Sequence, residues 1–324
     1  REDTGSAALV IYLKDGLLLR ALVVVGGSAS LRSLGEYAAA AEAVLQLRAD
    51  LDAQAGRPLP GRLAEAVAAA TRHDAAALAS AVLSPLLADV GDRDLVVVPT
   101  GVLTTVPWAV LPGCAGRPVT VAPSATAWHA ARRRLGVIGQ RGPDGPGPQA
   151  AALLVAGPGI ARGDAEVRAI AALRPGASVL TGASATPAAA LAGLGTADIV
   201  HLAAHGQHQA ENALFSTLEL AGGPLLGYDL QRAARAPFMV VLSSCDLGLT
   251  DVRPGDETFG MVTALLTAGA GTVVASVARV ADDTAMAAMV GYHQAITAGS
   301  APAAALATAL RRETAAGFVC FGAG

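Results

Sequence analysis

At 324 residues the chain is long enough for one large domain or two moderate ones, and 53 % hydrophobic against 15 % charged residues excludes a disordered polypeptide. A formal net charge of -3 gives no general attraction to nucleic acid or an anionic lipid surface, so neither is expected as a partner. Cys114, Cys245 and Cys320 are too few and too scattered for a disulfide framework or a zinc knuckle, so the expectation is no metal, no cofactor and a reducing, cytoplasmic setting.

The chain opens REDTGSAALVIYL, with acids where a signal peptide needs a basic region and no initiator Met, and so reads as a fragment of something longer. VIYL, Asp15-Gly16 and LLLRALVVV predict a hairpin. LVVVGGSAS, near 22 to 30, lacks the spacing and the lysine of a phosphate-binding loop. Alanine-rich segments at 36–55 and 62–89 have helical spacing. DLVVVP at 94–99 reads as a buried strand, PTGVLTTVPWAVLPG as turn, short strand and turn, and Ser124 to Leu135 as a capped helix whose RRR at 132–134 is a solvated face. RGPDGPGPQ, 141–149, holds three glycines and three prolines, so it is placed as a linker between residues 1–140 and 150–324.

Beyond the linker, strand and helix patterns alternate: AALLVAG, helix 164–173, ASVL, helix 186–193, ADIVHLAA, a hairpin near 214–226, FMVVLSS, helix 257–268, TVVAS and two terminal helices. Uniformly apolar strands between helices predict an α/β fold with a mostly parallel sheet covered on both faces, preceded by a smaller α/β subdomain. MVTALLTAGAGTVVASVA, 261–278, is uncharged, but its Gly269-Ala270-Gly271 break divides it into helix, turn and buried strand, so no membrane span is expected.

In open parallel sheets, ligands bind beyond the carboxyl ends of the strands. ADIVHLAA ends in His205-Gly206 and FMVVLSS ends in Cys245. If those two strands lie close together, a histidine and a cysteine share one crevice, the arrangement a thiol nucleophile with an imidazole base requires. The backbone N–H groups of Gly206 and Cys245 would then be candidates for an oxyanion hole. The structural alternative is a buried cysteine at a strand end.

HLAAHGQH carries three of the six histidines. On a strand His201 and His205 stand about 13 Å apart, too far to share one ion, and Leu202 stands where a zinc-peptidase glutamate would be. His201 is therefore expected as a core histidine and His208 as a loop residue, with surface or half-buried places for His73, His129 and His293 on helices. VAGPGIARG, 155–163, follows a strand, but its last glycine comes one position late for a dinucleotide loop and Pro158 removes an N–H. Asp246 directly follows Cys245, the GDE at 255–257 opens a helix and Asp282-Asp283 follows the strand TVVAS, and two of these three fit helix N-termini. Asp246 and Asp282 are also candidates to line a pocket for a basic substrate side chain.

HLAAHG, VVLSSCDLG and GDETFGMVTALLTAGAGTVVAS, in this order, resemble the motifs of the CHAT domain, a caspase-like and separase-like cysteine peptidase family common in bacteria and often attached to TPR repeats. DLVVVPTGVLTTVPWAVLPG and VAPSAT resemble its N-terminal signatures, so the likeness covers nearly the whole chain. It implies His205 as base and Cys245 as nucleophile of an endopeptidase acting on a protein or peptide, with a TPR or sensor domain as regulatory partner and residues 1–140 as a pseudo-caspase-like regulatory half. The chain departs from the family pattern at Ala278, where a tryptophan is usual, and at Ser244, where alanine is usual. The QACRG signature of caspases proper is absent, so cleavage after aspartate is not implied. The loop 246–256 is expected to order on activation, and its Arg253 and aspartates make it a candidate for self-cleavage. The alternative function is a catalytically silent interaction module on the same fold. A serine hydrolase is excluded by the lack of a G-x-S-x-G elbow at a strand end.

Overall fold

The computed structural model describes residues 7–56, 59–138, 149–207, 213–231, 235–243, 260–311 and 317–324. Three antiparallel strands come first: β1 (Ala8–Asp15), β2 (Leu18–Val25) and β3 (Ser28–Glu36). The expected hairpin is present. A second one was not foreseen, because Gly26-Gly27 reads as a glycine-rich loop in sequence. Both residues take positive φ, 56° and 81°, which a tight turn between twisted strands requires. Helices α1 (Tyr37–Ala55) and α2 (Gly61–Val82) then pack against each other, followed by the short α3 (Leu87–Val90) and β4 (Leu95–Val98).

The segment 101–110 forms two 3-10 turns, Gly101–Thr105 and Trp108–Val110, instead of the expected short strand. Its apolar residues serve packing rather than pairing: Trp108 is buried and stacks on Tyr12 at 5.9 Å. Strand β5 (Val119–Val121) and helix α4 (Ala125–Ile138) close this half, with the Ser124 hydroxyl accepting the Ala127 N–H at 3.0 Å as an N-cap.

The second half alternates as expected: β6 (Ala152–Ala156), α5 (Gly163–Leu173), β7 (Ser178–Leu180), α6 (Pro187–Leu194) and β8 (Ile199–Ala203). A small sheet follows, of β9 (Gly206–Gln207), β10 (Thr217–Leu220) and β11 (Gly223–Leu226), then α7 (Gly227–Gln231). The chain returns through β12 (Met239–Leu242), α8 (Gly260–Ala268), β13 (Thr272–Ser276), α9 (Asp282–Thr297), α10 (Pro302–Leu310) and β14 (Phe318–Gly322). FVCFG at the end forms a strand where two terminal helices were expected to close the chain, its apolar run being too short to stand out from the helix pattern before it.

All but the small sheet belong to one eleven-stranded sheet in the order β3-β2-β1-β4-β5-β14-β13-β12-β8-β6-β7. Strands β7, β6, β8, β12 and β13 are parallel to one another, and β1, β4, β5 and β14 are parallel to one another. The polarity reverses where β13 meets β14 antiparallel. Helices cover both faces: Met239 and Val241 of β12 join the core with α5, α9 and α10, while Val240 and Leu242 join the core with α1, α2 and α8. This is the expected α/β architecture, a mostly parallel sheet sandwiched by helices. The linker expected at 141–149 falls almost wholly outside the described residues, and the strands before and after it belong to the one sheet. Among the described residues no helix is long and apolar enough to cross a membrane.

Candidate active site

Strands β8 and β12 are direct neighbours in the sheet, parallel and in register, with Leu242 opposite Leu202. Their carboxyl ends therefore open on the same edge. The pairing continues one residue further, where the Ser243 N–H donates to the Leu202 carbonyl at 2.9 Å. Beyond this point β8 delivers His205 to the surface: Ala203 and Ala204 are buried, and His205 is exposed. Cys245 and Asp246, like His208, the GDE at 255–257 and the whole 246–256 loop, lie outside the described residues.

Two features hold His205 in place. Its carbonyl accepts the Glu219 N–H of β10 at 2.8 Å. The loop after β6 packs against its ring, so closely that a Cβ on Gly159 would stand 3.3 Å from Nε2. Gly157, in the same loop, donates its N–H to the Ala203 carbonyl at 2.7 Å, and a Cβ there would come within 2.5 Å of the Glu219 carbonyl. The first two glycines of VAGPGIARG, Gly157 and Gly159, are thus explained by close approach around the histidine.

Gly206 is buried and stands opposite Leu218 of β10. Because the hydrogen bond runs from Glu219 to His205, the Gly206–Leu218 pair is the non-hydrogen-bonded kind, and the Gly206 N–H points away from β10. On the other side of β12, the chain leaving β13 runs through Val277 to Val280 into α9, whose first residues are Asp282 and Asp283. Asp282 is half-buried there, and exposed Asp283 accepts from Arg162 Nε, on the loop after β6, at 2.6 Å. Ala278 is buried in this connection.

His201 is wholly buried, as the strand pattern implies, and its Nε2 lies 2.9 Å from Glu166 Oε1 of α5. The other ring nitrogen, Nδ1, lies 3.2 Å from His293 Nε2 of α9. His293 was expected at or near the surface, and instead it is wholly buried. Helical periodicity does place it on the α9 face shared with Ala285, Ala288, Met289, Tyr292 and Ile296, which was the available signal. Burial first, then the neighbouring His201 and Arg174, hold the His293 imidazole well below its ordinary pKa. Among the described residues no group of three or more His, Cys, Asp or Glu side chains could hold a metal ion.

The CHAT domain model matches residues 72–316. The chain belongs to the CHAT domain family. Among solved structures, this CHAT chain is similar to separase in the Saccharomyces cerevisiae separase-securin complex, with a TM-score of 0.69 at 9 % identity over 98 % of this chain. It spans about 30 % of that separase chain. It is also similar to the Arg-specific cysteine proteinase gingipain R of Porphyromonas gingivalis, with a TM-score of 0.50 at 12 % identity over 85 % of this chain and 73 % of the other. No curated protein sequence matches it. At such low identities the likeness concerns the fold: the CHAT chain has the caspase-like fold of cysteine peptidases.

Proposed function

We propose that this chain is a cysteine endopeptidase with Cys245 as nucleophile and His205 as its base. The observation that carries the reading is the adjacency of β8 and β12, which end on one edge with His205 exposed there. Cys245 comes two positions after Ser243, the last described residue at the end of β12.

In this reading His205 takes the Cys245 proton, and the thiolate attacks the scissile carbonyl carbon. The oxyanion is held by the N–H groups of Gly206 and Cys245, the first of which is turned away from β10. The protonated imidazole gives its proton to the leaving amine, and water deprotonated by the same ring then releases the acyl group from sulfur. Asp246 and half-buried Asp282 favour a basic P1 residue. The substrate is a protein or peptide, a TPR or sensor domain is the regulatory partner, and residues 1–140 serve as a regulatory half.

The test is turnover of a fluorogenic peptide library by wild type, Cys245→Ala and His205→Ala, with folding checked by circular dichroism. Cleavage after Arg or Lys should be lost in both variants by at least about 10³-fold. Full activity in either variant overturns the dyad, and a profile dominated by acidic or apolar P1 residues overturns the basic pocket. A peptide-based thiol probe that fails to label wild type at Cys245 would favour the catalytically silent module.

A further inference from the structure

We infer that Arg48 and Asp52, on helix α1, are positioning residues that set the geometry of the substrate-binding edge from outside the catalytic half. They are four apart and so share one face of the helix. Arg48 is only 6 % exposed; its Nε donates to the Val277 carbonyl at 3.0 Å and its Nη1 to the Thr105 hydroxyl at 3.4 Å. The Thr105 hydroxyl in turn donates a hydrogen bond to the Val102 carbonyl at 2.9 Å. Asp52 Oδ1 accepts the Arg279 N–H at 2.7 Å.

Both targets lie in the connection between β13 and α9, more than two hundred residues away in sequence. Other bonds also hold that connection: the Val277 N–H donates to the Gly317 carbonyl, and the Ser276 hydroxyl to the Ala278 carbonyl. The long-range pair therefore supplies the partners for the Val277 carbonyl and the Arg279 N–H. The Arg48 bond to Val277 is buried, where a carbonyl left without a partner is costly, while the Asp52 bond to Arg279 is exposed and fixes the position of an amide that water could otherwise satisfy; removing either side chain therefore releases the connection from α1. Burial disfavours the charged Arg48 guanidinium and Asp52 opposes that effect, which makes the two side chains one electrostatic unit.

The connection matters because of its place. Strand β13 is the neighbour of β12 on the side away from β8, so 277–281 flanks the edge opposite His205 and leads directly into Asp282. It contains Ala278, the position where the family pattern calls for tryptophan. Helix α1 is itself tied to the 3-10 turn at 101–105, since the Tyr37 hydroxyl accepts the Val102 N–H at 3.1 Å. A displacement of the N-terminal half is thereby passed to one wall of the substrate crevice.

This inference rests on the peptidase reading, and the experiment separates the two. Wild type, Asp52→Ala and Asp52→Asn are treated with iodoacetamide, which reports the Cys245 thiol alone, and with an Arg-P1 peptidyl chloromethyl ketone, which also needs the pocket. In Asp52→Ala the inhibition constant for the peptide reagent should weaken about tenfold with the limiting inactivation rate kept within about twofold and iodoacetamide labelling unaltered. Asp52→Asn keeps an acceptor oxygen and should restore most of the loss. Arg48→Lys, which keeps one donor, should fall between them. Wild-type peptide affinity in Asp52→Ala, with only a lower melting temperature, would reduce the pair to a structural staple and overturn the proposal. A wild type that reacts with iodoacetamide but gains nothing from the peptide reagent would overturn the peptidase reading, and this inference with it.

Discussion

The buried histidine pair shows how much one residue's surroundings decide. His201 Nε2 faces Glu166 and its Nδ1 faces His293 Nε2, so the His293 ring sits against a second imidazole in a fully buried site. His293 is held well below its ordinary pKa, so it stays neutral in the folded state while the unfolded chain takes up a proton below about pH 6.5. The group then contributes stability that is fully present above that value and lost as pH falls below it, at up to about 1.4 kcal/mol per pH unit. The melting temperature should fall between pH 7 and pH 5, and His293→Phe should flatten the slope. An unchanged slope in that variant would show that other groups carry the acid sensitivity. In sequence, His201 was legible because an unbroken apolar strand leaves no solvent face, whereas His293 sits in a helix where small residues on both faces blunt the contrast between polar and apolar sides, so its periodicity is only a weak signal.

At the scale of the element, the loop between β6 and α5 is decided by contacts from two other strands. Its glycine run resembles a nucleotide loop in sequence, but Gly157 is glycine because the Glu219 carbonyl and Ala204 occupy the space a side chain would need. Gly157→Ala should destabilise by about 1–3 kcal/mol in urea denaturation, since the clash is with backbone that cannot rotate away. Gly195→Ala is the contrasting case. It has helical φ of -67° and no contact nearer than 3.7 Å, so the same substitution should be neutral or stabilise by up to about 1 kcal/mol. Equal costs at the two sites would refute the close-approach explanation. The 3-10 turns at 101–110 teach the same lesson: a β-rich stretch that packs Trp108 inward has no neighbouring strand edge to pair with.

For the molecule as a whole, the deciding feature is β14. It pairs antiparallel with β13 on one side and parallel with β5 on the other, so the last residues of the chain join the strands of both halves. Together with the Arg48 and Asp52 contacts, this should make thermal unfolding a single calorimetric transition. Two resolved transitions, or a stable and monomeric 150–324 fragment, would show that the halves fold independently and would favour a loosely attached regulatory unit. Most of the strands and helices were legible because each carries its own hydrophobic period, and the His205 motif was legible because strand-end chemistry recurs in order along the chain. Strand order, the polarity reversal at β13 and β14, the closeness of β8 to β12 and the reach of α1 to residues 277–279 were not. Periodicity says which face of an element is buried but not which element buries it, and contacts spanning more than two hundred residues are chosen only when the sheet closes and every buried polar group must find its partner.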